Sequence, residues 1–213
     1  MMKLYNYFRS GTSYRTRIVL NLKGLKYEYV PVSLIKGEHR GADFATINPM
    51  MGVPVLEVDG ARISQSPAII EYLEETHPAP PLLPKDPAKR AYVRALAAIV
   101  GCDMHPLNNL RVVNYLRDEF GQHTDGINKW AARWLKAGFD AFEAQLRADK
   151  ARKGYCYGTS PTIADAYLVP QCFTAGRLKF DLAPYPEVMK VAETCNALAP
   201  FADAHPSKQP DAE

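Results

Sequence analysis

The segment Arg9-Ser10-Gly11-Thr12-Ser13 gathers three hydroxyls and a guanidinium where an extended run hands over to a helical pattern. Backbone N–H groups at a helix start carry partial positive charge and hydroxyls donate hydrogen bonds. A thiolate held there would be stabilised, its pKa falling below the free value of about 8.5. One of the three hydroxyls must cap the helix, and three hydroxyls plus Arg9 exceed what a cap requires. Gln65-Ser66-Pro67 repeats the strand-to-helix junction, where the helix N-terminus and the Ser66 hydroxyl suit a carboxylate. The same serine is equally a plain cap before proline at the first helical position. Val53-Pro54 opens an extended run after Asn48-Pro49-Met50-Met51-Gly52. X-Pro bonds are usually trans, and a cis bond here would turn the Val53 N–H and C=O outward to pair with an extended peptide.

The planar fork of arginine is suited to clamping a carboxylate. Arg9, Arg111 and Arg177 are the candidates, with Arg9 and Arg177 ahead of Arg111, and the amides of Asn108-Asn109 stand beside Arg111. An arginine taken singly is more often a solvated surface charge. His105, next to Pro106, ranks after Arg111 because a buried structural role accounts for it as well. Cys102, Cys156, Cys172 and Cys195 form no Cys-x-x-Cys and have no histidine at zinc-ligand spacing. They read as buried, reduced thiols, and no metal site is expected.

These residues need a scaffold, and the pattern around them describes one. Residues 3–8, 27–32, 53–58 and 62–64 read as strands, and 13–23 and 66–76 as helices, with a short helix inside the polar stretch 36–48. Gly24 stops the first helix, and Asp59-Gly60 between two extended runs signals a hairpin. The expected order is βαβαββα. Residues 77–84 contain four prolines and read as a linker, separating domain 1–81 from domain 87–213. Beyond the linker, helical patterns cover about 87–119, 126–150, 162–177 and 186–199, so the second domain is expected to be all-helical. Thr162-Ile163-Ala164-Asp165 resembles a capping box with Asp in place of Glu.

With 213 residues, 47% of them hydrophobic and 23% charged, the chain has the composition of a folded protein rather than a disordered or low-complexity one. A net charge of +3 without a basic run gives no footprint for nucleic acid. The N-terminus lacks a signal-peptide pattern and no apolar run is long enough to span a membrane, so the expected compartment is the cytosol.

Four segments together carry a family resemblance: Tyr7-Phe8-Arg9-Ser10-Gly11-Thr12-Ser13-Tyr14-Arg15-Thr16-Arg17-Ile18, Asn48 to Pro54, Ile63-Ser64-Gln65-Ser66-Pro67-Ala68-Ile69-Ile70-Glu71-Tyr72-Leu73, and Pro161-Thr162-Ile163-Ala164-Asp165. On them the whole chain resembles the zeta-class glutathione transferases. The resemblance implies a thioredoxin-like first domain that binds glutathione, a helical second domain, a homodimer, and a substrate pocket between the domains. It implies that Val53 before a cis Pro54 bonds the cysteinyl backbone of glutathione, and that Gln65 and Ser66 hold its γ-glutamyl carboxylate. His39 is a weaker candidate for the glycyl end, and Ser10, assisted by Thr12, faces the sulfur. Gly11 and Thr12 stand where the class commonly has Ser and Cys, so no protein cysteine is available at the site. Ser-Gly-Thr-Ser resembles the bacterial maleylpyruvate isomerase branch more than the maleylacetoacetate branch.

The implied activity is glutathione-dependent cis–trans isomerisation of maleylpyruvate to fumarylpyruvate, with Arg9 and Arg177 holding carboxylates and Arg111, Asn109 and His105 as further substrate contacts. Isomerisation of maleylacetoacetate and glutathione conjugation are the alternatives. A noncatalytic interaction module is disfavoured, since it would not need the complete glutathione constellation.

Overall fold

The two central strands carry the fully buried apolar residues of a four-stranded sheet, and the other two pair along its edges. In the computed structural model, which describes all 213 residues, β1 (Met2–Asn6), β2 (Tyr27–Pro31), β3 (Val55–Val58) and β4 (Ala61–Ser64) form one sheet in the order β2-β1-β3-β4. β1 runs parallel to β2 and antiparallel to β3, which pairs antiparallel with β4. Leu4, Val55 and Leu56 are fully buried in it. With α1 (Gly11–Leu22), α2 (Ala42–Ile47) and α3 (Ser66–Thr76), the observed order is the expected βαβαββα. Asp59 and Gly60 both have positive φ, 49° and 80°, as a two-residue type I′ hairpin requires.

Register decides where the site falls. Tyr5 is opposite Val55, and Val55 is opposite Ser64. The residues that follow β1, precede β3 and follow β4 therefore emerge at one end of the sheet. α1 is started by the Ser10 side chain, which accepts from the Ser13 N–H at 3.3 Å. It ends in a Schellman turn in which the Leu25 N–H reaches the Leu20 carbonyl at 2.9 Å past Gly24, at φ +65°.

The chain divides into two units, Met1–Leu82 together with Asn196–Glu213, and Leu83–Cys195. The sequence places 196–213 in a helical domain of residues 87–213; in the structure those residues pack with the first unit, where α9 (Ala199–Ala204) lies against α1. The proline-rich stretch is also pinned. Buried Lys23 donates from Nζ to Glu74 at 2.7 Å and to the carbonyls of His77 and Pro80, while Glu74 accepts the Leu82 N–H.

The second unit is helical: α4 (Pro87–Ala98), α5 (Leu110–Asp118), α6 (Thr124–Ala148), α7 (Ile163–Arg177) and α8 (Pro186–Asn196). The single helix expected over 87–119 is instead broken into α4, a π-helical turn Ile99–Met104, a short 3₁₀ turn Pro106–Asn108, and α5. Pro106 has no N–H to continue the ladder, and Asn109, with extended backbone, starts α5 by accepting the Val112 N–H on its side chain at 3.1 Å. The expected helix over 186–199 likewise ends at Asn196, because Leu198 is extended and caps a new helix, α9, which has Pro200 in its first turn. The cysteines are not uniformly buried: Cys156 and Cys195 are, Cys172 is half-buried, and Cys102 is exposed on the π turn. Gly138 in α6 is required by close approach, since a Cβ there would meet Met104 Cγ at 2.1 Å. No helix is long and apolar enough to cross a membrane.

α7 is buried on nearly every side, and Asp165 in its first turn organises the surrounding loops. Its carboxylate accepts from the N–H and hydroxyl of Thr162 at 2.8 and 2.7 Å, and from the N–H of Cys156 at 2.8 Å. This is the capping box expected from Thr162-Ile163-Ala164-Asp165. Asp165→Ala would strand three buried donors, and is expected to cost about 3 kcal/mol in urea denaturation; a loss below about 1 kcal/mol would show that the box does not hold these loops.

Candidate functional site

Ser10, Val53 and Gln65-Ser66 come from the three chain segments that the sheet register brings to one end. Two hydroxyls link the first pair. Thr12 Oγ1 donates to the Val53 carbonyl at 2.9 Å and lies 2.8 Å from Ser10 Oγ. Because the single Thr12 proton is committed to Val53, Ser10 is the donor in the Ser10–Thr12 bond. Ser10 is thus the cap of α1 and carries a proton that a stronger acceptor at the helix end can take from Thr12. The Val53–Pro54 bond is cis.

At the second junction the helix start is left open. α3 has Gln65 as its N-cap but no side-chain hydrogen bond to its first N–H groups, in contrast to α1. Open N–H groups at the positive end of an eleven-residue helix suit an anion. Ser66 Oγ is buried there, with the buried Arg15 Nη1 3.5 Å behind it at the long limit of a hydrogen bond. Gln65 is held at φ 71°, ψ 114°, a backbone that L-residues rarely adopt.

Arg9 is positioned by aromatic rings. Its guanidinium lies 5.3 Å from the Phe8 ring centroid and 5.9 Å from that of Tyr7, and its buried Nε has no hydrogen-bond partner. An anion would satisfy it. His39 is buried in the 3₁₀ turn Glu38–Arg40, where burial and then the neighbouring Arg40 push its pKa below the ordinary value, so it is neutral at pH 7.

In the helical unit, His105 follows the π turn with its N–H on the Val100 carbonyl at 2.9 Å. Asn109 caps α5, Arg111 is exposed in the first turn of that helix, and Arg177 is the exposed last residue of α7. Asn108 donates to the Met104 carbonyl at 3.2 Å and leaves its buried Oδ1 without a partner.

The family model of the glutathione S-transferase N-terminal domain matches residues 1–75, and that of the C-terminal domain matches residues 128–199. A maleylpyruvate isomerase of Ralstonia sp is 53% identical over 210 residues, which cover 99% of each chain. A solved structure described as holo maleyl pyruvate isomerase, a bacterial glutathione S-transferase of the zeta class, superposes with a TM-score of 0.98 at 52% identity, covering 99% of this chain and 100% of that one. This chain belongs to the zeta-class glutathione transferases. Maleylacetoacetate isomerase from Methylobacterium extorquens AM1, solved with bound malonate and GSH, superposes with a TM-score of 0.95 at 38% identity, covering 99% of both chains.

In this transferase the sequence reading passed over three residues that shape the first unit. Arg15 and Arg17 are buried in α1, and Asp211 accepts the Phe8 N–H at 3.2 Å. Burial of these two arginines has no clear local signal, because α1 also carries Thr12, Ser13, Thr16 and Asn21, and only the fold supplies the oxygen partners that a buried guanidinium needs. Asp211 has no local signal either, because only the fold brings it to Phe8.

The backbone of Gln65 is retained at a cost, which gives a test. Gln65→Gly relieves the positive-φ strain and is expected to raise stability by about 1 kcal/mol in urea denaturation while weakening ligand binding at the α3 N-terminus. A variant that is less stable would show that the Gln65 side chain, rather than its backbone, governs this junction.

Proposed function

We propose that this transferase is a glutathione-dependent cis–trans isomerase that converts maleylpyruvate to fumarylpyruvate. The observation that carries the proposal is the Ser10–Thr12–Val53 hydroxyl chain standing beside the uncapped N-terminus of α3. The residues fit glutathione: the open helix end takes a carboxylate, the Val53 backbone takes an extended peptide, and Ser10 has a transferable hydrogen-bond donor. Bound glutathione supplies a thiolate whose addition turns the rigid double bond into a rotatable single bond, and whose departure restores the bond as trans.

The roles of the chain's own residues follow. Gln65 and Ser66 hold the γ-glutamyl carboxylate, His39 stands near the glycyl end, and the Val53 backbone before Pro54 orients the cysteinyl unit. Ser10 swings its proton from Thr12 to the sulfur, and Thr12 keeps Ser10 and Val53 in register. Arg9 and Arg177 bind the two carboxylates of the substrate and face the charge that develops on its carbonyl oxygen, with Arg111, Asn109 and His105 as further contacts. Preorganised charge of this kind supplies most of the rate. The protein would work as a cytoplasmic homodimer in bacterial breakdown of aromatic compounds through gentisate.

Maleylacetoacetate is the second reading, supported by the likeness to an isomerase of that substrate solved with a dicarboxylate and GSH bound. Initial rates with purified protein, with and without glutathione, decide between them. Fast conversion of maleylpyruvate with no net thiol loss is expected, at a higher kcat/KM than for maleylacetoacetate. The reverse ratio would reassign the substrate, and steady thiol consumption with an electrophile but no isomerisation would make the protein a conjugating transferase. Ser10→Ala is expected to lower kcat on the order of a hundredfold while changing glutathione affinity little, because it removes a donor to the sulfur and no peptide contact. Equal loss in binding and turnover would remove Ser10 from the chemistry.

A further inference from the structure

Segment 7–10, which carries Arg9 and Ser10, is gripped from two sides. On its carbonyl side, buried Arg17 donates from Nη2 to the Phe8 carbonyl at 2.9 Å and from Nη1 to the Tyr7 carbonyl at 3.4 Å, with a further bond to Asn6 Oδ1 at 2.9 Å. On its amide side, the Phe8 N–H donates to Asp211 Oδ2 at 3.2 Å, while the other Asp211 oxygen accepts the Tyr29 hydroxyl. Both charged groups belong to one assembly, because Arg17 also donates from Nε and Nη2 to the carbonyl of Ala204 at 3.2 and 3.1 Å. Residues 201–209 are tied down: Phe201, Ala204 and Pro206 are buried, the His205 ring meets Tyr14 edge-on, and the Gln209 amide donates to the carbonyls of Asp203 and His205.

We propose that residues 204–211 form a strap that sets the position of the Ser10 hydroxyl, with Asp211 and Arg17 as positioning residues that grip Phe8 from opposite sides. The proposal rests on the reading of Ser10 as the donor to the thiol of glutathione. Ser10 lies two residues beyond Phe8, and its own N–H donates to the Tyr7 carbonyl at 3.1 Å, an oxygen that Arg17 also holds. A displacement of Phe8 is therefore passed to Ser10 through one turn of backbone, and small misplacements of a reacting group are costly in rate. Val53, Gln65 and Ser66, which take up the rest of the ligand, lie on other segments, so the strap affects thiolate formation and turnover and leaves the affinity for the protonated thiol unchanged.

The test compares full-length Asp211→Ala and Asp211→Asn with Val191→Ala, a buried truncation in the helical unit that lowers stability without touching segment 7–10. Three quantities are measured: the thiol pKa of bound glutathione from the ultraviolet absorbance of its thiolate, the Kd of glutathione, and kcat with KM for isomerisation. Asp211→Ala is expected to raise the bound thiol pKa by roughly one unit and lower kcat roughly tenfold, with Kd unchanged when it is measured below the bound thiol pKa, where glutathione binds as the protonated thiol. Asp211→Asn, which keeps an uncharged acceptor for the Phe8 N–H, should fall between Ala and wild type, and Val191→Ala should match wild type. Wild-type thiol pKa and kcat in both Asp211 variants, or in Asp211→Asn alone where Asp211→Ala does not accumulate, overturns the proposal. So does an equal loss in Val191→Ala. Ser10→Ala separates the two failures: an unchanged thiol pKa there sinks the reading of Ser10, whereas a raised one beside wild-type Asp211 variants sinks only the strap.

Discussion

A guanidinium removed from water must be surrounded by oxygen atoms, and Arg17 meets that demand with the carbonyls of Tyr7, Phe8 and Ala204 and the side chain of Asn6. Desolvation pulls its pKa below the ordinary value, so the oxygens and the nearby Asp211 carboxylate are what keep the buried charge tolerable. Around this one group the end of β1, the first turns of α1 and the returning C-terminal segment are fixed together. The hydroxyl of Ser10 and the guanidinium of Arg9 then sit on a segment with little freedom, as preorganised electrostatics requires.

The two helix starts at the site solve the same problem in opposite ways. α1 is capped by its own Ser10, whose proton is shared with Thr12 and so remains available for exchange to a better acceptor. α3 has no such cap and is entered through a residue at φ 71°. A helix start without a side-chain cap and a strained entry are each unfavourable, and together they leave N–H groups facing the place where a carboxylate would lie. Stability is given up at the position where an anion would restore it.

The helical unit rests on a different polar group. Asp165 draws the Thr162 turn and the Cys156 loop onto the first turn of α7, and burial raises its pKa while those N–H and hydroxyl donors act in the opposite direction. The break between α4 and α5 leaves His105 between two short turns and puts Asn109 and Arg111 at the start of a new helix, instead of all three on one rigid rod.

Local chemistry explains what was legible from the residues alone. Gly24, Asp59-Gly60 and Thr162 to Asp165 act within a turn or two of chain, so the βαβαββα order, the hairpin, the stop of α1 and the capping box of α7 could be read directly, and Ser10, Val53 and Ser66 could be named as candidates. The serine cap expected at Ser66-Pro67 is not formed, because Ser66 is already the first residue of α3 and Gln65 holds the cap position without a side-chain bond. Whole-chain resemblance to the zeta class then supplied the ligand. Two things needed the tertiary structure. Helix continuity across 99–109 depends on a π turn closely packed against Gly138, which periodicity does not encode. The grip on Phe8 depends on Asp211, 203 residues away, and no local pattern marks a partner that only chain folding brings within hydrogen-bonding distance.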